Sequence, residues 1–325
     1  MNNPLNLSGV ALGTFPFSNV FGKVSAAEAE AIVQIYLECG AGYIQTSPYY
    51  EGVDNQMQGI LSKLPRESYR LGTLCVKDRH SIISGKYKAV IAQCEDSLSY
   101  LGLDYIDLYL TSTPVGSDAP FSETIRAMVD LKTQGKIREI GVCNVTLAEL
   151  KSYNSNGDVR YVQNRFSILD QKAERDVWEY CQQYDISLIP YNVIEWGLLT
   201  NKSLTEWILA ESDLRAKVLP VFDSDPKKKI HEWVTKYLQP IAEQNNTSIE
   251  ALAIHWVLSQ PGVATALVGA TTLNQIVSSL KASKLSGRGD IVTELNSAYN
   301  VLEEELCRDH QLSVNDYLKN SFGKW

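Results

Sequence analysis

Short apolar runs alternate with longer amphipathic stretches along the whole chain. The runs fall at residues 10–15, 43–46, 69–76, 106–110, 139–144, 161–166, 187–193 and 265–270. Most are apolar without alternation, the pattern of strands buried on both faces of a parallel sheet. Between them, apolar positions recur at helical spacing. Ser25 and Glu28 form a capping-box pattern ahead of Ile32, Val33, Tyr36 and Leu37, and Gly40 closes that stretch. Val90, Ile91, Cys94 and Leu98 repeat the pattern before Gly102, as do 121–133, 147–153, 174–184 and 272–282. A polar stretch follows at 200–229, then helical patterns at 230–244 and 248–258, a last helix at 290–308 and a polar tail.

Eight strand–helix units spread over 325 residues predict an α/β fold, a (β/α)8 barrel with an extra C-terminal helix, as one domain over residues 1–325. The rival is an open doubly wound sheet, which carries a Gly-rich phosphate turn after its first strand. Here Leu12-Gly13-Thr14-Phe15-Pro16 follows, with no GxGxxG. In a barrel the chemistry sits where strands end at their C-termini. Those ends bring up Gly13 and Thr14, Gln45 through Tyr50, Lys77, Ser112, Cys143 and Asn144, Gln163, Tyr191, and Gly269 through Thr272.

Charge narrows the partners. Lys+Arg 30 against Asp+Glu 38 gives a net charge of −8, so the chain lacks the positive field that a phosphate backbone requires, and no nucleic-acid partner is expected. The Lys227–Lys228–Lys229 run follows Pro226 in a polar stretch and reads as a solvated face. No apolar window reaches the length of about 18 residues that a membrane helix needs, and the N-terminus has no basic-then-apolar leader. The 6 cysteines are scattered without a CxxC pair and the 4 histidines are far apart, so free thiols, no metal site and a reducing, cytoplasmic setting are expected. A small-molecule substrate is the expected partner. Oligomeric state stays open.

Six segments, in register along essentially the whole chain, carry a resemblance. They are GYIQTSPYYEGVDNQMQG, SLSYLGLDYIDLYL, GKIREIGVCN, DISLIPYNVIEWGLLTNK, WVLSQPGV and ALVGATTLNQI. Together they resemble the aldo-keto reductases, a family of nicotinamide-dependent barrels with a catalytic Asp, Tyr, Lys and His. The resemblance places Tyr50 at the Tyr and Lys77 at the Lys. The Asp position holds Gln45, and the His position holds Ser112. His80 follows Lys77 in the same loop, as a second-choice imidazole.

An acid that protonates a carbonyl oxygen works best with a pKa near the working pH, and a phenol starts near 10. An ammonium about 4 Å away, at an effective dielectric of about 20, favours the phenolate by about 4 kcal/mol. Tyr50 with Lys77 thus retains the elements of a tuned proton donor. Gln45 can hydrogen-bond but supplies no charge, and Ser112 is shorter than the imidazole it replaces.

The resemblance assigns cofactor contacts to Gly13, Thr14, Cys143, Asn144, Gln163 and Tyr191. An Asn and a Gln supply donors and an acceptor for a carboxamide, and Tyr191 offers a flat face to the ring. The adenine end would meet Gly269, Thr271 and Gln275, with Thr271 and Thr272 offering backbone N–H groups to an anion. The family's Lys and Arg for a 2′-phosphate are replaced by Gly269 and Gln275, and its Glu-Asn pair by Ser278 and Ser279, so NAD and NADP both stay open as cofactors. Phe15, Phe17, Tyr49, Arg165, Glu195 and Trp196, with Arg79, are expected to line the mouth and suit a polar, sugar-like ligand. Three readings follow: carbonyl–alcohol oxidoreduction; altered chemistry on a retained nicotinamide (enone reduction, epimerisation or elimination); and a non-catalytic nucleotide-binding protein.

Overall fold

The computed structural model describes residues 3–75, 85–112, 120–171, 175–202, 209, 212–218 and 225–319. Its strands are β1 (Val10–Gly13), β2 (Tyr43–Gln45), β3 (Arg70–Cys75), β4 (Ile106–Ser112), β5 (Ile137–Cys143), β6 (Tyr161–Gln163), β7 (Ser187–Leu188) and β8 (Ala266–Gly269). Every pairing is parallel, in the order β7-β6-β5-β4-β3-β2-β1-β8. Bridges Leu188↔Val263 and Tyr191↔Leu267 join the two ends, so the sheet closes into the expected barrel.

The helices around it are α1 (Ala26–Glu38), α2 (Val53–Leu61), α3 (Tyr87–Leu101), α4 (Phe121–Thr133), α5 (Leu147–Tyr153), α6 (Arg175–Gln183), α7 (Leu214–Val218), α8 (Asp225–Trp233), α9 (Gln239–Gln244), α10 (Ile249–Leu258), α11 (Leu273–Leu280), α12 (Gly289–His310) and α13 (Val314–Lys319). Ser25 caps α1 through the capping box that its sequence announced, and Thr146 caps α5 in the same way. α12 is the extra C-terminal helix. The segment behind it is not only a polar tail: it forms α13, where Val314 is fully buried. The polar stretch likewise contains α7 and the start of α8. A π-helical segment, Val234–Leu238, joins α8 to α9.

β6 and β7 are shorter than their apolar runs because the chain changes partners beyond them. The Asn164 side chain grips the Val145 backbone, accepting from its N–H at 3.1 Å and donating to its carbonyl at 2.8 Å. Pro190, just past β7, has no N–H to extend a ladder.

Inside the barrel pack Ala11, Tyr43, Leu108, Leu110, Tyr161, Ile189 and Leu267, with Leu5 and Leu7 across the N-terminal end. The Tyr161 hydroxyl accepts from the Leu5 N–H at 3.0 Å and donates to Asn3 Oδ1 at 2.8 Å. At that end Asp107, buried, accepts from Arg66 at 2.5 Å and from the Leu71 N–H at 2.8 Å. Arg66 lies over the Tyr105 ring at 4.0 Å. Removing one partner of such a pair strands the other charge. Asp107→Asn is therefore expected to lower unfolding free energy by about 2 kcal/mol, read from urea denaturation, without changing the chemistry at the opposite end.

Candidate active site

Strand register gathers the expected residues into one ring. Gly13 pairs with Gln45 on one side and Gly269 on the other. Ser112 pairs with Cys143, and Cys143 with Gln163. Thr14 donates through its N–H at 3.0 Å and its hydroxyl at 3.1 Å to the Gln45 carbonyl, fastening the turn after β1 to β2. Lys77, Arg79 and His80 lie outside the described residues.

Gln45 is wholly buried. Two residues back on the same strand face, the Tyr43 hydroxyl donates to Gln45 Oε1 at 2.6 Å. That bond fixes the carboxamide with Nε2 turned away, and Nε2 has no hydrogen-bond partner among the described residues. The Tyr43 ring fits only because β3 carries Gly72 opposite: a Cβ there would overlap its hydroxyl and lie 2.8 Å from Cζ.

Tyr50 follows in the loop before α2, its ring packed on Phe15 at 4.9 Å. Its hydroxyl makes no hydrogen bond to a described residue, and burial pushes the phenol's pKa up, with Cys143, Asp54 and Tyr49 as acidic neighbours adding to the rise. Asp54 is itself buried, held by Thr46 Oγ1 at 2.7 Å, and burial raises its carboxyl too.

Across the mouth stand the groups expected to hold a cofactor. Asn144 adopts the left-handed conformation (φ 55°), where Asn is among the better-tolerated residues, and this carries its side chain to the barrel end. Its Oδ1 accepts from the Tyr191 hydroxyl at 2.7 Å, leaving the Nδ2 hydrogens free of described partners. Its N–H donates to the Gln163 carbonyl at 3.0 Å. Gln163 is buried, and its Oε1 has no partner among the described residues. Buried polar atoms in folded proteins are normally paired. The acceptor on Gln163 and the donors on Asn144, neither with a partner among the described residues, complement a primary carboxamide, and Tyr191 is bonded to Asn144. A nicotinamide fits this set. Cys143, at the base, is a neutral thiol whose pKa burial pushes up to about 12.

The loop after β8 is built differently. At Gly269 a Cβ would lie 2.6 Å from Pro16 Cγ, so the Pro16 ring leaves no room for a side chain. Thr272 caps α11, accepting from the Gln275 N–H at 3.3 Å. Gln275 Oε1 in turn accepts from the Thr271 N–H at 2.8 Å and from its hydroxyl at 3.0 Å. The Thr271 N–H expected to face an anion is thus already engaged. Ser278 bonds Glu250 at 2.5 Å, and Ser279 is buried.

The mouth corrects two expectations. Phe17 is buried in the core beneath α1 and α2. Glu195 is wholly buried and paired with Arg165 at 3.0 Å, so it cannot meet a ligand. The wall is aromatic: Phe21 lies edge-on to Phe15 at 5.4 Å and to Trp196 at 5.8 Å. Arg215 covers the Phe21 ring at 5.2 Å and donates to the Trp196 carbonyl at 3.2 Å.

Comparison with known proteins decides the family. The model of the aldo/keto reductase family matches residues 9–300. The chain belongs to this family. As an aldo/keto reductase it is an oxidoreductase. It is 28% identical over 303 residues to the NADH-specific methylglyoxal reductase of Escherichia coli, covering 87% of this chain and 91% of that protein. It is 27% identical over 308 residues to L-galactose dehydrogenase of Arabidopsis thaliana, covering 91% and 88%. The solved glycerol dehydrogenase of Gluconobacter oxydans superposes with a TM-score of 0.80 at 23% identity, over 94% of this chain and 93% of that one, a likeness of fold. The family acts on small molecules. Among the described residues of this aldo/keto reductase, no helix is long and apolar enough to cross a membrane, and no group of side chains could hold a metal ion.

Sequence reasoning missed several residues of this reductase. Tyr43 was legible as the neighbour of Gln45 on one strand face, since side chains two apart share a face. Phe21, Arg215 and Ser167 carried no local signal, because each meets a residue of another loop, and Asn192 drew no notice although its partners, Glu195 and Trp196, are three and four residues away.

Proposed function

We propose that this aldo/keto reductase, acting as one barrel domain over residues 1–325, binds a nicotinamide dinucleotide through Asn144, Gln163 and Tyr191. It interconverts a small carbonyl compound and its alcohol. The bound cofactor supplies or accepts hydride. Tyr50 gives the proton to the carbonyl oxygen in reduction and takes it back in oxidation, with Lys77 as the ammonium that favours its ionised form. Gln45, held by Tyr43, is a neutral hydrogen-bonding floor at the position where the family resemblance expects a carboxylate, and Ser112 stands at the position where it expects a His. Gly13 and Thr14 close the barrel rim beside the nucleotide.

The observation that supports this reading is the buried Gln163 Oε1, without a partner among the described residues, at the strand end that meets Asn144, whose Oδ1 accepts from Tyr191. A polyol or small hydroxycarbonyl suits the substrate, given relatives named for methylglyoxal, glycerol and L-galactose. The test is turnover with NADH or NADPH against a panel of aldehydes, ketones and sugars. Turnover no faster than that of Tyr50→Phe rejects the reading.

The same reading assigns NADH as the preferred nucleotide. A 2′-phosphate needs cationic donors. Gly269 cannot carry one past Pro16, and the Gln275 carboxamide is neutral, its oxygen held by Thr271. We expect NADH to bind at least about tenfold more tightly than NADPH in paired titrations at one ionic strength. Equal affinities would contradict it.

A further inference from the structure

The loop after β7 concentrates left-handed backbone. Asn192, Glu195 and Trp196 have φ of 58°, 46° and 57°, and Gly197 follows at 95°. Side chains with a Cβ resist this region, and it persists only where the surroundings over-determine it. Here they do. Glu195 Oε2 accepts from Arg165 Nη2 and from Asn192 Nδ2, both at 3.0 Å, and Oε1 accepts from Ser167 Oγ at 2.5 Å. The Glu195 N–H donates to the Asn192 carbonyl at 2.9 Å, and the Trp196 N–H to Asn192 Oδ1 at 3.0 Å. Asp170 Oδ2 lies 3.1 Å from Arg165 Nε, so the guanidinium pairs with two carboxylates.

The wholly buried Glu195 touches no ligand, yet what it holds borders Tyr191. Arg165 is bridged to Tyr191 in parallel register. The Phe166 N–H donates to the Tyr191 carbonyl and the Tyr191 N–H to the Asn164 carbonyl, both at 3.2 Å. Asn192 is the next residue. The geometry points to Glu195 as a positioning residue: through Arg165, Ser167 and Asn192 its carboxylate sets the Tyr191 ring, with Trp196 beside it, as a ready-made wall for the nicotinamide. A surface ordered in advance spares the ligand the cost of ordering it. This inference rests on the nucleotide-binding reading above.

Three proteins test it: Glu195→Gly, Glu195→Gln, and Glu195→Gly combined with Arg165→Met. Each is measured for NADH affinity by fluorescence titration, for kcat at saturating NADH, and for melting temperature. Gly suits a φ of 46°, so Glu195→Gly keeps the fold while losing the carboxylate. Gln keeps the shape and, with its oxygen toward Arg165 and Asn192, those two hydrogen bonds; only the Ser167 bond is lost, because Ser167 Oγ already accepts from the Leu169 and Asp170 N–H groups. We expect Glu195→Gly to bind NADH about tenfold more weakly with kcat within about twofold of wild type, and Glu195→Gln to stay within about threefold in affinity. In the double variant the melting temperature recovers, because the under-compensated guanidinium is gone, while affinity stays low. Unchanged affinity in Glu195→Gly, or affinity that recovers together with melting temperature, overturns the inference and leaves the functional reading standing. A wild-type protein that binds neither nucleotide overturns both.

Discussion

Tyr50→Phe is expected to lower kcat/KM by about 10²- to 10⁴-fold while leaving melting temperature and NADH affinity within error. The phenyl ring keeps its packing on Phe15 at 4.9 Å. The deleted hydroxyl has no hydrogen-bond partner among the described residues, so none of them is orphaned by its loss. Only the proton is removed. Burial raises the phenol's pKa, so Tyr50 stays protonated through neutral pH and is poised for reduction. Reduction should accordingly fall off only on the alkaline side, and the alkaline limb should vanish in the variant. The check is a pH profile of kcat/KM for both proteins. A variant that keeps a tenth of wild-type activity removes Tyr50 from the proton transfer.

Gly72→Ala is expected to lower stability by about 2–4 kcal/mol, larger than the effect of Asp107→Asn. The added methyl would overlap the Tyr43 hydroxyl and press to 2.8 Å from Cζ and 3.0 Å from Cε2. Tyr43 is buried at 3% exposure inside the barrel, so its ring can yield only by displacing neighbours. Yielding also breaks its bond to Gln45, so kcat should fall with stability. Gly59, inside α2 with nothing within 4 Å of a Cβ, is the control: Gly59→Ala should stabilise by about 0.5–1 kcal/mol. Urea denaturation of both variants decides it. Similar shifts at the two positions would mean that Tyr43 is not confined.

The barrel was legible because its signal is repetitive. Each strand had to be apolar on both faces, so eight runs stood out, and α4 and α5 begin and end where their periodicity does. Tyr50, Gln45, Asn144, Gln163 and Tyr191 were legible from place: each sits where a strand run ends, and the register brings those ends together. The direction of a side chain was not legible. Glu195 read as a charged mouth residue because charge usually faces water. It turns inward because Arg165, Ser167 and Asn192 offer three donors, from residues up to 30 positions away. Gly269 gave no hint that Pro16 closes the space beside it. Such pairings depend on which loops the closed ring makes neighbours, and no local window contains them.

The ring is zipped by ladders everywhere except between β7 and β8, where isolated bridges at Leu188 and Tyr191 do the joining. A seam so lightly stitched is where the cylinder should breathe first, and one of its two stitches is Tyr191, the residue proposed to carry the nicotinamide. Filling the site therefore rivets the weakest joint, and slowed amide exchange at Leu267 and Ala264, whose N–H groups donate across it to Pro190 and Leu188, becomes a silent gauge of occupancy.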